Sequence, residues 1–313
     1  MSPEGSPVRR VAVVGTGVVG LGWTALFLAR GLDVTATDPS PGAEQRLRDG
    51  VAALWPRLDP VPGASPDRLG FAPTAAAAAE HADFVQENGP EREDVKHRLF
   101  AELDEAARPE VVLASSSSGL LPTDIARGAT RHPERVLVGH PFNPPQVIPL
   151  VEVVPGERTA DRAVTDALEF YTALGKRPIR LRAEIPGHIA NRLQAALWQE
   201  AYSLVERGVA SVADVDAAIA HGPGLRWAVL GPFANQHLSG GPGGLAHVLE
   251  HLGPPTERYW RDLGRVTLTP ELARTLVDGV HDELGDTDPA ELAARRDAVL
   301  AELLDAKSRT DLP

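Results

Sequence analysis

The sequence predicts a chain in two parts: an α/β domain on a doubly wound, mostly parallel sheet, then an all-α domain. Three observations predict this. From residue 11 to about 182, short apolar runs alternate with helical stretches, the pattern of strands joined by crossover helices. A glycine-rich turn, Gly15-Thr-Gly17-Val-Val-Gly20, follows the first apolar run and opens the first helix. After Pro186-Gly187 apolar residues recur near a 3.6 period and no strand pattern returns. A length of 313 residues fits about two domains, placed at residues 1–184 and 185–313.

The elements follow in order. Val11 to Val14 reads as a buried strand, Val18 to Arg30 as a helix closed by Gly31, Val34 to Thr37 as a strand, and Pro41 to Leu54 as a helix. Ala75 to Ala79 reads as a short crossover helix, because alanine is the strongest helix former. Ala82–Gln86, Val111–Ala114, Arg135–Val138 and Leu150–Val154 are further strands. In the second part, Ile189, Leu193, Leu197, Leu204 and Val205 share one helical face. Ser211 with Asp214 is an N-terminal cap, and Leu272, Leu276, Val280 and Leu284 trace another face. Asp288-Pro289 with Glu291 starts a last helix.

Composition excludes several classes. The formal net charge of −12 leaves no general basic field for nucleic acid or anionic lipid, so an anionic ligand must be held by a few local donors. The absence of cysteine excludes disulfides, thiolate catalysis and cysteine-bound metal, and no metal site is expected. Residues 1–10 lack the apolar core of a signal peptide, and no run of 18 apolar residues occurs, so a cytoplasmic protein without a membrane partner is expected.

The glycine turn points to a dinucleotide. Gly15 permits the tight turn, Gly17 lets a pyrophosphate approach the backbone, and Gly20 lets helix and strand pack closely. The helix opening at Val18 and Val19 offers free N–H groups and a positive dipole end to phosphate. Asp38 ends the second strand, where a carboxylate accepts from a ribose 2′-hydroxyl and repels a 2′-phosphate. No arginine follows it, so NAD is expected over NADP on a Rossmann-type domain. The alternative for Asp38 is a turn cap before Pro39.

A second signal is His140, after a strand at the carboxyl edge of the sheet, with Glu152 in the apolar run Leu150-Val-Glu-Val-Val154. A carboxylate among valines is costly unless paired. Paired with His140, it fixes the imidazole tautomer and stabilises its charged form, as a general base for an alcohol proton requires. The alternative is a loop-capping histidine and a solvent-facing glutamate.

These stretches, with Ser115-Ser-Ser-Ser-Gly119, Gly139-His-Pro-Phe-Asn-Pro144 and Pro186-Gly-His-Ile-Ala-Asn-Arg192, resemble the L-3-hydroxyacyl-CoA dehydrogenase superfamily. Gly31 to Gln45, Gly222 to Ala228 and His237 to Gly241 are most similar to its branch of L-carnitine dehydrogenases, L-gulonate 3-dehydrogenases and λ-crystallin. The resemblance implies His140 as base, Glu152 as its partner, and Ser118 and Asn191 as donors to the substrate oxygen. It places Glu87 and Ser116 along the cofactor and implies a homodimer. Four positions depart from the pattern. Ser116 stands where acyl-CoA enzymes usually carry Asn, Pro141 and His188 where Phe is usual, and Gln236 where carnitine enzymes carry an aromatic.

Arg226, in a Gly/Pro-rich turn, is expected to be buried and to clamp a free carboxylate, which a thioester does not offer; a structural ion pair is the alternative. Trp198, Tyr202, Trp227 and Phe233 are either core or an aromatic wall for a trimethylammonium group. The expected function is NAD-dependent oxidation of a small 3-hydroxy carboxylate of the L-carnitine type to its 3-oxo acid. A 3-hydroxyacyl-CoA or L-gulonate dehydrogenase, and a non-catalytic NAD-binding protein of crystallin type, are the alternatives.

Overall fold

The computed structural model describes residues 8–310 and 312. Most of the N-terminal stretch read above for a leader therefore lies outside the described residues. The chain divides into two compact units, Met1–Arg192 and Leu193–Pro313.

The first unit alternates β1 (Arg10–Val14), α1 (Val18–Ala29), β2 (Asp33–Thr37), α2 (Ala43–Leu54), β3 (Leu69–Phe71), α3 (Ala75–Ala79) and β4 (Phe84–Glu87). It continues through α4 (Glu93–Ala106), β5 (Val112–Ser115), α5 (Pro122–Ile125), β6 (Val136–Pro141), β7 (Leu150–Pro155), α6 (Asp161–Ala173) and β8 (Arg177–Arg180). The eight strands form one sheet in the order β3-β2-β1-β4-β5-β6-β7-β8. All neighbours are parallel except β6 and β7, so the last two strands run against the first six.

Side chains alternate between two buried faces. Val11 and Val13 join one core with Trp23, Phe27 and Tyr171, while Ala12 and Val14 join the other with Phe100 and Leu113. Both faces of the sheet are thus covered, which is why its central strands read as continuous apolar runs. The two strands without a clear sequence signal, β3 and β8, are the two edges. β8 is Arg-Pro-Ile-Arg, and an edge tolerates its proline because no inward ladder bond is lost.

The order reverses direction between β1 and β4, and such a switch point opens a crevice at the strand carboxyl ends. Gly15 turns the chain there at φ +86°, and a Cβ would lie 2.8 Å from the Asn88 backbone after β4. No other residue fits both conditions.

The first unit extends past the expected boundary to Arg192 because the start of α7 (Ala190–Glu206) is bonded to the sheet, as described below. The second unit holds the rest of α7, then α8 (Val212–Ala220), α9 (Pro223–Trp227), α10 (Pro232–Ser239), α11 (Gly244–Asp262), α12 (Pro270–Leu284) and α13 (Pro289–Ser308). Ser211 and Asp214 form a capping box on α8, and Asp288 caps α13. Among its described residues, Leu272 is the only hydrophobic side chain that is buried. No described helix is long and apolar enough to cross a membrane.

Candidate active site

The antiparallel register of β6 and β7 places His140 directly opposite Glu152. Their side chains therefore share a face, and His140 Nδ1–H donates to Glu152 Oε2 at 2.9 Å. Glu152 is fully buried. Its Oε1 accepts from the backbone N–H of Ile189 at 2.8 Å and of Ala190 at 3.1 Å, where α7 begins. Burial pushes the carboxyl up, but the bonds from His140, Ala190 and Ile189 outweigh it and hold Glu152 below the ordinary carboxylate range. With Nδ1 committed, His140 keeps its Nε2 lone pair for a substrate proton. The ring sits edge-on to Phe142 at 5.3 Å and 5.2 Å from the ring of His188.

The serine run after β5 is pinned around this pair. Ser117 Oγ donates to Glu91 at 2.6 Å, and the same carboxylate accepts from Gly119 N–H at 2.7 Å. The carbonyl of Ser117 accepts from His188 Nε2 at 3.1 Å. Ser118 itself is exposed, and Asn191 is half-buried at the second position of α7. Asn191 is thus the chain neighbour of Ala190, which bonds Glu152, and Ser118 that of Ser117, which bonds His188.

At the glycine turn, Asp38 Oδ2 accepts from Thr16 N–H at 2.9 Å and Oδ1 from Ser40 N–H at 2.8 Å. The turn-cap reading of Asp38 therefore holds, and the same bonds aim a carboxylate at the turn. Burial raises its pKa, but bonds from Thr16 and Ser40 outweigh this and hold it low. A Cβ at Gly17 would meet nothing within 4 Å, whereas one at Gly20 would lie 1.9 Å from the Gly15 carbonyl oxygen. The turn is thus open where a pyrophosphate needs space and closed where helix meets strand. Val18 is exposed and Val19 half-buried at the helix start.

Two family models match, the 3-hydroxyacyl-CoA dehydrogenase NAD-binding domain over residues 10–185 and the C-terminal domain over residues 187–295. The chain belongs to the 3-hydroxyacyl-CoA dehydrogenase family. It is an NAD-dependent oxidoreductase of that family. The L-carnitine dehydrogenase of Streptomyces coelicolor is 51% identical over 98% of this chain and 97% of its own length. That of Pseudomonas putida is 46% identical over 96% and 94%. An NAD-dependent 5-formyl-3-hydroxy-2-methylpyridine 4-carboxylic acid 5-dehydrogenase superposes with a TM-score of 0.82 at 27% identity, over 97% of this chain and all of that one. Escherichia coli 3-hydroxybutyryl-CoA dehydrogenase gives 0.65 at 32%, over 79% and 53%.

For this dehydrogenase the open Gly17, the start of α1 and the aimed Asp38 fit NAD. Two expected cofactor contacts need correction. The Glu87 carboxylate is fully buried, accepting from Lys96 Nζ at 2.8 Å on both oxygens and from Ser115 Oγ at 2.7 Å. It braces the turn after β4 from within and offers a cofactor no side-chain surface. The Ser116 hydroxyl is also spent within the protein: it accepts from Trp23 Nε1 and Gln86 Nε2 and donates to Asn88 Oδ1.

Arg226 also departs from expectation. It lies within α9 rather than in a turn, exposed rather than buried, and among the described residues it makes no ion pair. A short helix primed by Pro223 at its first position replaces the loop reading. Trp198, Trp227 and Phe233 are exposed, not core.

Sequence reasoning missed Lys96, Gln86 and Tyr171, whose hydroxyl donates to Gln86 Oε1 at 2.6 Å. Gln86 Nε2 in turn donates to the Gly139 carbonyl, one residue before His140. A lysine in so lysine-poor a chain was the one available signal.

Proposed function

We propose that this dehydrogenase oxidises the 3-hydroxyl of L-carnitine, a small 3-hydroxy carboxylate, to the 3-oxo acid. The observation that carries the mechanism is the His140–Glu152 pair, with Nδ1 held and Nε2 free. His140 Nε2 takes the hydroxyl proton as the carbon–oxygen double bond forms. Glu152, kept ionised by its two backbone donors, stabilises the imidazolium. Ser118 and Asn191 hold the substrate oxygen, lowering the cost of orienting it. Bound NAD supplies the acceptor for the hydride that leaves the carbinol carbon. Gly15, Gly17, Gly20 and the helix start at Val18 and Val19 hold its pyrophosphate, and Asp38 its ribose.

The choice of substrate rests on the near full-length likeness to enzymes named L-carnitine dehydrogenase. Arg226, an exposed cation in an acidic chain, serves the carboxylate, and the exposed aromatics of the second unit serve the trimethylammonium group. NADH absorbance with L-carnitine, L-gulonate, 3-hydroxybutyrate and its CoA thioester tests this. L-carnitine is expected to give the highest kcat/KM, and Arg226→Ala to lose rate on acids more than on their esters. A thioester used better than L-carnitine contradicts the reading.

The first unit carries cofactor and base, and the helical unit serves substrate and dimer. The protein acts in the cytoplasm as a homodimer. A helical unit with one buried hydrophobic side chain among its described residues has no closed core there. Its groove of Trp198, Val205, Val212, Leu276, Val277 and Val280, about 460 Å³, is the kind of apolar surface that a two-fold partner covers. Light scattering is expected to give twice the 33.3 kDa chain mass at micromolar concentration; a monomer mass contradicts this.

A further inference from the structure

His188 stands at the meeting of the segments that build the site. It has a left-handed backbone, φ 52°, directly after Gly187 at φ 76°. A non-glycine residue in that region is held there by its surroundings. Its ring is fully buried and lies 5.2 Å from that of His140. Its Nε2 bonds the Ser117 carbonyl, while Nδ1 is buried without a partner among the described residues. A carbonyl can only accept, so Nε2 bears the proton. Protonating Nδ1 would bury a second N–H with nothing to receive it. Burial accordingly pushes His188 below the ordinary histidine range.

The ring is therefore a neutral strut with one working donor. On the chain side it is followed by Ile189 and Ala190, whose N–H groups hold Glu152. On the ring side it grips Ser117, whose hydroxyl is gripped from elsewhere by Glu91. Ser117 is thus held at both its carbonyl and its hydroxyl, and the hold on the carbonyl is covalently continuous with the backbone donors that orient the base pair. A phenylalanine, usual at this place in the resembling sequences, would fill the volume but leave the Ser117 carbonyl without this donor.

We propose that His188 is a positioning residue for the reaction: its Nε2–H fixes the Ser117–Ser118 peptide in register with the His140–Glu152 pair. The kinetic part of this inference rests on the dehydrogenase reading given above; the geometric part does not.

Two variants test it. His188→Phe keeps bulk and loses the donor, and His188→Gln returns an N–H at similar reach. In His188→Phe, kcat is expected to fall on the order of 10–100-fold, the cost of a misplaced reacting group, with KM for NAD within about twofold. His188→Gln is expected to recover most of the loss. By hydrogen–deuterium exchange, amides of residues 117–121 are expected to exchange faster in His188→Phe than in the parent, and at the parental rate in His188→Gln. That arm needs no substrate, so it decides the clamp even if L-carnitine proves to be the wrong alcohol. Parental kcat and exchange in His188→Phe overturn the proposal. So does a Gln variant as impaired as the Phe variant in both readouts, which would make the ring a matter of shape alone.

Discussion

Asp38 answers to two demands: it caps the turn into Ser40 and presents a charge at the glycine turn. A 2′-phosphate beside it would bring like charges together in a half-buried place, where screening by water is incomplete. Asp38→Ala is expected to reduce the preference for NAD over NADP by at least about tenfold in kcat/KM, given that a tenfold ratio corresponds to about 1.4 kcal/mol. An unchanged ratio would remove Asp38 from cofactor choice. At this scale the sequence was legible where chemistry looked out of place: a glutamate among valines, an aspartate closing an apolar run. It was illegible where a residue's role depends on distant partners. Glu87 reads in the sequence as a cofactor contact, yet its carboxylate is sealed by Lys96 and Ser115. Arg226 was expected to be buried because nothing in a Gly/Pro-rich stretch announces an exposed single turn of helix.

The elements show why His140 is held so firmly. β6 carries it at one end and is anchored at the other by Arg135, immediately before the strand. Arg135 Nη2 donates to Asp104 Oδ1 at 2.9 Å, and both side chains are almost fully buried. Asp104 also accepts from the N–H groups of Arg131 and His132. Burial raises the Asp104 pKa, but Arg135 and these donors outweigh it and hold it below the ordinary carboxylate range. Asp104→Ala leaves a buried guanidinium uncompensated and is expected to cost about 3–5 kcal/mol at pH 7. Because the folded pKa is depressed, the parent's advantage is complete above the unfolded value. It is lost as pH falls through the folded one. Urea midpoints of parent and variant are therefore expected to converge as pH drops below about 3.8. A gap that stays constant with pH would show that packing, not the ion pair, sets it. The central strands were legible because they are apolar on both faces; β3 and β8 were not, because an edge strand needs few apolar residues.

For the whole molecule, the division into a sheet unit and a helical unit followed from one change of hydrophobic period near Pro186-Gly187. By contact the first unit runs on to Arg192, since the bonds from Ile189 and Ala190 to Glu152 tie the start of α7 to the sheet. The helical unit exposes Trp198, Phe233 and Trp260 and buries Leu272, a balance that no periodicity argument could anticipate. All of this architecture bears on one claim, that the His140–Glu152 pair removes the proton of L-carnitine's hydroxyl while NAD takes the hydride. The most direct test is the rate of NADH formation from L-carnitine at saturating NAD, in the parent and in His140→Ala. Turnover is expected in the parent, with a loss of about 10²–10⁴-fold in the variant and its NAD affinity unchanged. Parental turnover in His140→Ala would contradict it.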